Sequence, residues 1–271
     1  FSLHDVNEKA VWLEYTGEKD GGRVPTVEAI GVNYFKGDGD FRSEESIELL
    51  KEADIVVTNP PFSLFREYIA QLMEYDKKFL VLGNMNAITY KEIFPLIKDN
   101  RMWPGVSFNR TIEFEVPDHY DTSKAIEEDG KKLIKVPAIS WWTNLEYPRR
   151  KQDMILFREY EGNEDMYPKY ANYDAIEVSK VKDIPNDYYE EMGVPITFLG
   201  NWNPEQFEIV GISGDLAQDM KQIAKKDDFA QGGPSFYIKE NDRSYKYRRL
   251  YGRIVIKRKI KDEANKGDNL L

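Results

Sequence analysis

An α/β fold is the class this sequence predicts: a mainly parallel sheet flanked by helices, followed by a strand-rich second half. Three observations carry the prediction. Between Ile30 and Asn100, short apolar or β-branched runs alternate with helical spacing in the order strand, loop, helix, three times over, the pattern of right-handed crossovers. Past Asn100 the helical spacing gives way to strand-like segments. A length of 271 residues, 41% of them hydrophobic, is enough for one large domain or two modest ones around a buried sheet.

Ala10–Thr16 reads as the first strand, Gly17–Arg23 as a charged, glycine-rich turn, and Ile30–Phe35 as a second short strand. The loop Gly37-Asp38-Gly39-Asp40-Phe41 leads to a helix at Ser43, whose hydroxyl suits an N-cap. Glu44 and Glu45 complement the positive end of the helix dipole, and Ile47 and Leu50 supply the buried stripe. Asp54–Thr58 is a continuous β-branched run of the kind found in a fully buried parallel strand. It ends in Asn59-Pro60-Pro61-Phe62, and a helix with Phe65, Ile69, Leu72 and Met73 at helical spacing follows from Ser63. Phe79–Leu82 is the next buried strand, and Thr89–Lys98 a helix that Pro95 is placed to kink. Strands are then expected over Ser107–Val116 and Leu133–Trp142, and near Met154–Phe157, Phe207–Ile212, Ser235–Ile238 and Arg253–Lys257. Tyr147–Tyr189 has weak periodicity, and the boundary between the two halves is expected near Tyr147–Tyr160.

Composition removes whole classes of chemistry. With no cysteine there is no disulfide scaffold, thiolate nucleophile or cysteine-bound zinc. His4 and His119 are the only imidazoles, too far apart in sequence to suggest a multi-histidine metal centre or a compact Ser-His-Asp machine. No metal site is expected, and no run is long and apolar enough to span a bilayer. Export and membrane insertion are therefore not expected. The first residue is Phe1 rather than Met, and a segment upstream of it is expected.

The formal charge of −10 hides an asymmetry. Between Arg243 and Lys261 stand nine basic residues and no acidic one, so the rest of the chain carries −19. Such a segment can face a polyanion, or it can be an edge strand guarded by lysines against pairing. Composition leaves both open.

In open α/β sheets ligands bind beyond the carboxyl ends of strands, which directs attention to Asp38–Phe41 and Asn59–Phe62. Two prolines after a strand fix φ twice and withdraw two N–H donors, leaving carbonyls to accept and holding Asn59 and Phe62 in a stiff presentation. The competing reading is a plain strand-ending turn, with Asn59 capping the next helix and Phe62 filling core.

Asn59-Pro60-Pro61-Phe62 resembles the amino-methyltransferase motif of S-adenosylmethionine-dependent enzymes, in the form typical of N6-adenine DNA methyltransferases. Gly37–Phe65 and Tyr251-Gly252-Arg253-Ile254-Val255-Ile256-Lys257 resemble the EcoRI-type adenine-specific DNA methyltransferase family, and the likeness runs over most of the chain. The tetrapeptide is also found in protein-glutamine and some ribosomal-RNA amino-methyltransferases.

The resemblance implies a Rossmann-like methyltransferase sheet in a catalytic region over 1–150 and a target-recognition region over 151–271. It also implies methyl transfer from S-adenosylmethionine to a flipped adenine in double-stranded DNA, within a restriction-modification system whose endonuclease acts separately. Asn59 and Pro60 would accept the N–H groups of the adenine amine, and Phe62 would stack on the base. Asp40 would accept from the cofactor adenine and Phe41 pack on its ring, with Asp38 a second candidate for the acceptor. A local turn in which these aspartates bond nearby N–H groups is the alternative.

Arg243, Lys246, Arg248, Arg249 and Lys257, interleaved with Tyr245, Tyr247 and Tyr251, would neutralise phosphates. Gln231, before Gly232-Gly233-Pro234, could read adenine. Of Trp141 and Trp142 one is expected in the core, and Asn201-Trp202-Asn203-Pro204 is a polar loop with no assigned role.

The sequence departs from the family pattern in one respect. It shows neither the glycine-rich cofactor motif nor the acidic residue that holds the ribose, for which Glu14 is a weak stand-in. An upstream segment is the expected explanation. Two other readings are a DNA-binding protein impaired in catalysis, and an amino-methyltransferase acting on protein glutamine or RNA.

Overall fold

The structure, a computed structural model, describes residues 10–15, 17, 30–120, 125–240 and 245–260. The architecture is mixed α/β, with several small sheets and few helices. The chain divides into two compact units, Phe1–Val56 with Glu67–Lys78, and Val57–Arg66 with Phe79–Leu271.

In the first unit, β1 (Val11–Tyr15) and β2 (Ile30–Tyr34) form an antiparallel pair. Helix α1 (Glu44–Glu52) begins as expected: the Ser43 hydroxyl accepts from the Ser46 N–H at 3.2 Å, with Glu44 and Glu45 in the first turn. The Glu45 carboxylate also accepts the N–H groups of Lys36 and Gly37, which pins the loop after β2. The Lys77 ammonium donates to the carbonyls of Lys51 and Ala53, placing a cation at the helix C-terminus. Ile47 and Leu50 are half-buried, so α1 contributes less core than its stripe suggests.

The segment read as a fully buried strand, β3 (Ile55–Thr58), is not buried: Ile55 is 51% and Val57 63% exposed. It is the end strand in the order β3-β4-β9-β5, and nothing among the described residues covers the face that carries Ile55 and Val57. Helix α2 (Phe65–Glu74) follows the Asn59–Phe62 turn, with Phe65, Ile69 and Leu72 buried at helical spacing as expected.

Strand β4 (Lys78–Asn84) is buried along its second half. Asn84 then caps a 3-10 turn over Met85–Thr89, and α3 (Phe94–Lys98) is short. Pro95 sits in the first turn of α3 and starts it rather than kinking a longer helix, because a missing N–H costs nothing there. Strands β5 (Trp103–Pro104), β6 (Ile112–Glu115), β7 (Ala125–Glu128), β8 (Lys131–Val136) and β9 (Ile139–Thr143) follow. The expected run Leu133–Trp142 is two strands, broken where Ala138 takes a positive φ of 60°. β6, β8 and β7 make an antiparallel sheet of their own. The pairs β4–β9 and β9–β5 are antiparallel too, so this sheet is not the mainly parallel one expected.

Downstream lie β10 (Ile176–Glu177), β11 (Met192–Pro195), β12 (Phe207–Ile212), α4 (Ser213–Leu216), β13 (Tyr237–Lys239), β14 (Tyr247–Arg249) and β15 (Arg253–Arg258). No strand forms over Met154–Phe157, and Tyr147–Tyr189 is mostly turns. The second large sheet runs β10-β11-β15-β12, with β15 antiparallel to both neighbours and Ile254, Val255 and Ile256 buried in it. Tyr170, Ala175, Phe236, Ile238, Leu250 and Val255 form one apolar cluster. Among the described residues no helix is long and apolar enough to cross a membrane.

Candidate functional site

The Asn59–Phe62 turn is built by its own backbone. Pro61 is extended (φ −53°, ψ 131°), Phe62–Leu64 forms a single 3-10 turn, and the Leu64 N–H donates to the Pro61 carbonyl at 2.9 Å. The turn has no side-chain cap, and the residue in the cap position is Pro61, so Asn59 does not cap the helix. Its side chain is exposed and makes no hydrogen bond among the described residues. Phe62 is 44% exposed and therefore not core, while Pro60 is buried. Both features of the plain-turn reading are thus missing.

Downstream the turn is anchored. The Phe65 ring lies so close to Gly83 of β4 that a Cβ there would clash with it, and it meets Trp142 edge-on at 6.5 Å. The Arg66 guanidinium lies over the Tyr90 ring at 5.5 Å.

Asp38–Phe41 belongs to the first unit. Gly39 has a φ of +74°, and a Cβ there would lie 2.8 Å from that of Ala10. The Asp38 carboxylate is exposed and accepts the Asp40 N–H at 3.1 Å. Asp40 is gripped by Arg42, whose backbone N–H, Nε and Nη2 donate to it at 2.8, 2.9 and 2.7 Å. The remaining Nη1 reaches Glu67 at 3.1 Å, and the guanidinium lies 5.2 Å over the Phe41 ring. Phe41 also meets Tyr68 edge-on at 4.9 Å, and its carbonyl accepts from Gln71. The local-turn bonds are therefore present, and Arg42 and Glu67 enter a site in which sequence reasoning had not placed them.

The Arg42 fork holds the Asp40 carboxyl down at about 2, from an ordinary 3.8. A carboxyl-carbon NMR titration should find Asp40 near that value, and near 3.8 in Arg42→Ala. Since the folded value lies below the unfolded one, the pair stabilises the fold above about pH 3.8 and is lost as pH falls through about 2. A titration unchanged in the variant would refute the assignment.

The part of the basic run in β15 is not a guarded edge, because β15 lies inside its sheet, whereas β14, which carries Arg248 and Arg249, is one strand of a two-stranded sheet. The run's charges are also compensated in space. Lys246 pairs with Asp228 at 2.9 Å, Arg248 with Glu240 at 2.5 Å, Lys257 with Glu190 at 3.2 Å and Arg253 with Glu177 at 2.7 Å. Arg249 donates to the Gly233 carbonyl, and Arg243 lies outside the described residues. The Arg253–Glu177 pair is buried; the other three are at least partly exposed, and exposed ion pairs are worth about 0–1 kcal/mol, so phosphates can replace those three partners at little cost.

Sequence reasoning missed the buried cluster around Glu177. Arg253 binds it through Nε and Nη2, and the Tyr170 hydroxyl donates to it at 2.5 Å. Arg253 and Glu177 stand 76 positions apart, with no spacing signal to connect them.

Gln231 donates to the Lys226 carbonyl and, with Gly232–Pro234, lines a cavity of about 290 Å³. Trp142 is core and Trp141 half-buried, as alternation requires. Asn201–Pro204 is structural: Trp202 and Asn203 are buried, and Asn203 bonds Asp153 and the Glu205 N–H. Glu14 is an exposed residue of β1 paired with Gly31. Among the described residues no group of three His, Asp or Glu side chains is placed to hold a metal.

Residues 1–259 match the family model described as adenine-specific methyltransferase EcoRI. The chain is 53% identical over 214 residues to the Type II methyltransferase M.EcoRI of Escherichia coli, a match covering 78% of this chain and 65% of that protein. It is 42% identical over 229 residues to the Type II methyltransferase M.MgeORF184P of Mycoplasma genitalium, and 40% over 231 residues to M.MpnI of Mycoplasma pneumoniae. Each of these two matches covers 82% of this chain and 70% of the relative. The chain thus spans about two thirds of the length of these relatives, and no solved structure matches it. With an exposed Asn-Pro-Pro-Phe turn at the end of β3 and a family match over nearly its whole length, this chain belongs to the EcoRI family of adenine-specific methyltransferases.

Proposed function

We propose that this chain methylates the N6 amine of an adenine in duplex DNA, drawing the methyl group from S-adenosylmethionine, as the modifying half of a bacterial restriction-modification system. A separate endonuclease and a cytoplasmic setting go with that reading. The observation that carries it is the Asn59–Phe62 turn, rigid in backbone, with its amide and ring presented to solvent, in a member of this family. In this reading β3 and β4, connected by α2, belong to a Rossmann-like methyltransferase sheet flanked by helices within a catalytic region over 1–150, and 151–271 forms the target-recognition region.

The exocyclic amine of adenine is a poor nucleophile because its lone pair is delocalised into the ring. The Asn59 side-chain oxygen and the Pro60 carbonyl each accept one of its N–H groups. This favours a tetrahedral nitrogen and stabilises the positive charge that develops on it. Phe62 offers its exposed face to the base, which must leave the duplex to be reached. Because both prolines fix φ, these groups need little reorganisation when the base arrives.

Asp38, Asp40 and Phe41 fit the adenosine end of the cofactor. A carboxylate is the natural acceptor for an exocyclic amine, and an aromatic ring for the purine face. Asp38 keeps an exposed carboxylate, whereas use of Asp40 and the Phe41 face requires Arg42 to swing toward Glu67. When bound, the cofactor supplies a methyl group on a sulfonium. Lys246, Arg248, Arg249 and Lys257 meet phosphates by exchanging their present partners, and Arg243 is proposed to join them.

The test is transfer of labelled methyl from S-adenosylmethionine to duplex DNA, with the product identified as N6-methyladenine. Asn59→Ala should lower the rate by about 10²–10³-fold while leaving DNA binding intact. Absence of transfer by the unmutated protein, or transfer only to glutamine or RNA, would refute the proposal.

A further inference from the structure

Deepening that reading, we infer that the cavity between α3, β12 and the Leu250–Gly252 segment is a site for a DNA base, with Tyr251 as its stacking residue and the Glu177–Arg253 pair as the device that positions Tyr251. The cavity holds about 330 Å³, at the lower end of the range for small-molecule sites and suited to one flat heterocycle. Phe94, Ile212 and Leu250 are apolar members of its lining, and Ser213, Arg249 and Tyr251 supply polar ones.

Tyr251 is the unusual member. The residue is 71% exposed, yet the backbone on both sides of it is hydrogen-bonded. The Leu250 carbonyl accepts from the buried Ser235 hydroxyl at 2.7 Å, and the Leu250 N–H donates to Phe236. The Tyr251 carbonyl accepts from Arg253 Nη1 at 3.1 Å, and the Arg253 N–H donates to the Ser213 hydroxyl.

Arg253 can make that bond in only one orientation, because its Nε and Nη2 are committed to Glu177, which is 1% exposed and itself held by Tyr170. A buried ion pair is an expensive way to secure a strand and a good way to fix one geometry. Here that geometry carries an exposed aromatic ring at the mouth of a cavity with a guanidinium, Arg249, in its wall. Apolar walls, a ring to stack on and a cation are what a base on a phosphate backbone requires.

The probe is a short duplex selected by the unmutated protein from a random-sequence pool, with binding followed by fluorescence anisotropy. Tyr251→Ala should weaken binding of the selected duplex by about 10- to 100-fold and an unrelated duplex little, while Tyr251→Phe stays close to wild type. Glu177→Gln should erode the same discrimination, and combining it with Tyr251→Ala should add little further loss, since both act on one contact. Additive losses would overturn the positioning role. Tyr251→Ala within twofold of wild type, or no sequence enriched from the pool, would overturn the base site. The Asn59-dependent transfer reaction is read separately, so its failure is distinguishable from either.

Discussion

Arg253→Ala should destabilise the fold by about 3–5 kcal/mol, because it leaves the Glu177 carboxylate buried without its counter-charge. In thermal unfolding each kcal/mol corresponds to roughly 2–4 °C in a protein of this size. The Tyr170 hydroxyl cannot make good the loss. Burial and the Glu177 charge push its pKa up, so it stays a neutral donor and supplies one hydrogen bond but no charge. Pairing the change with Glu177→Gln should recover much of the loss, since a neutral amide is far cheaper to bury than a carboxylate. A loss below about 1 kcal/mol for Arg253→Ala would mean that water reaches Glu177, and would remove the basis for the rigid Tyr251 geometry.

Phe65→Ala should cost about 3–5 kcal/mol and reduce methyl transfer as well. The ring is buried against Gly83 and Trp142, and it begins α2 directly after the 3-10 turn that holds Phe62. Removing it opens a void under the turn and frees the Asn59–Phe62 backbone to move. The mirror change is informative. Gly83→Ala alone places a methyl where the ring sits and should cost about 1–3 kcal/mol through overpacking. In the Phe65→Ala background the same methyl enters the void, so the double variant should be more stable than Phe65→Ala alone. Denaturant unfolding of the four proteins measures this, and simple additivity would show that the two residues do not share the space.

The features legible in sequence are those that a few adjacent residues enforce. Two prolines dictate the backbone of the Asn59–Phe62 turn whatever surrounds it, and Ser43 caps its own helix three residues on. Periodicity likewise identified the buried face of α2 and the strand cores at β12 and β15.

What was misread depends on neighbours. A β-branched run looks the same whether both its faces are covered or, as at Ile55 and Val57, one is not. Strand direction at β9 depends on a return path from distant sequence, which gave antiparallel pairing with β4. Arg42 stands beside Phe41 in the sequence, but its choice of Asp40 and Glu67 over solvent or a ligand is a matter of geometry.

The charge pattern shows the division most clearly. By itself the sequence determined the local chemistry: no thiol, an amide and an aromatic ring on a proline-stiffened turn, and nine basic residues crowded near the C-terminus of an acidic chain. The tertiary structure decided how those charges are used. Asp228, Glu240, Glu190 and Glu177 come from other parts of the chain to meet four of them, and β15 lies within a sheet rather than at its edge. Electrostatic energy depends on distance in space and on desolvation, and neither is written in the order of residues along a chain.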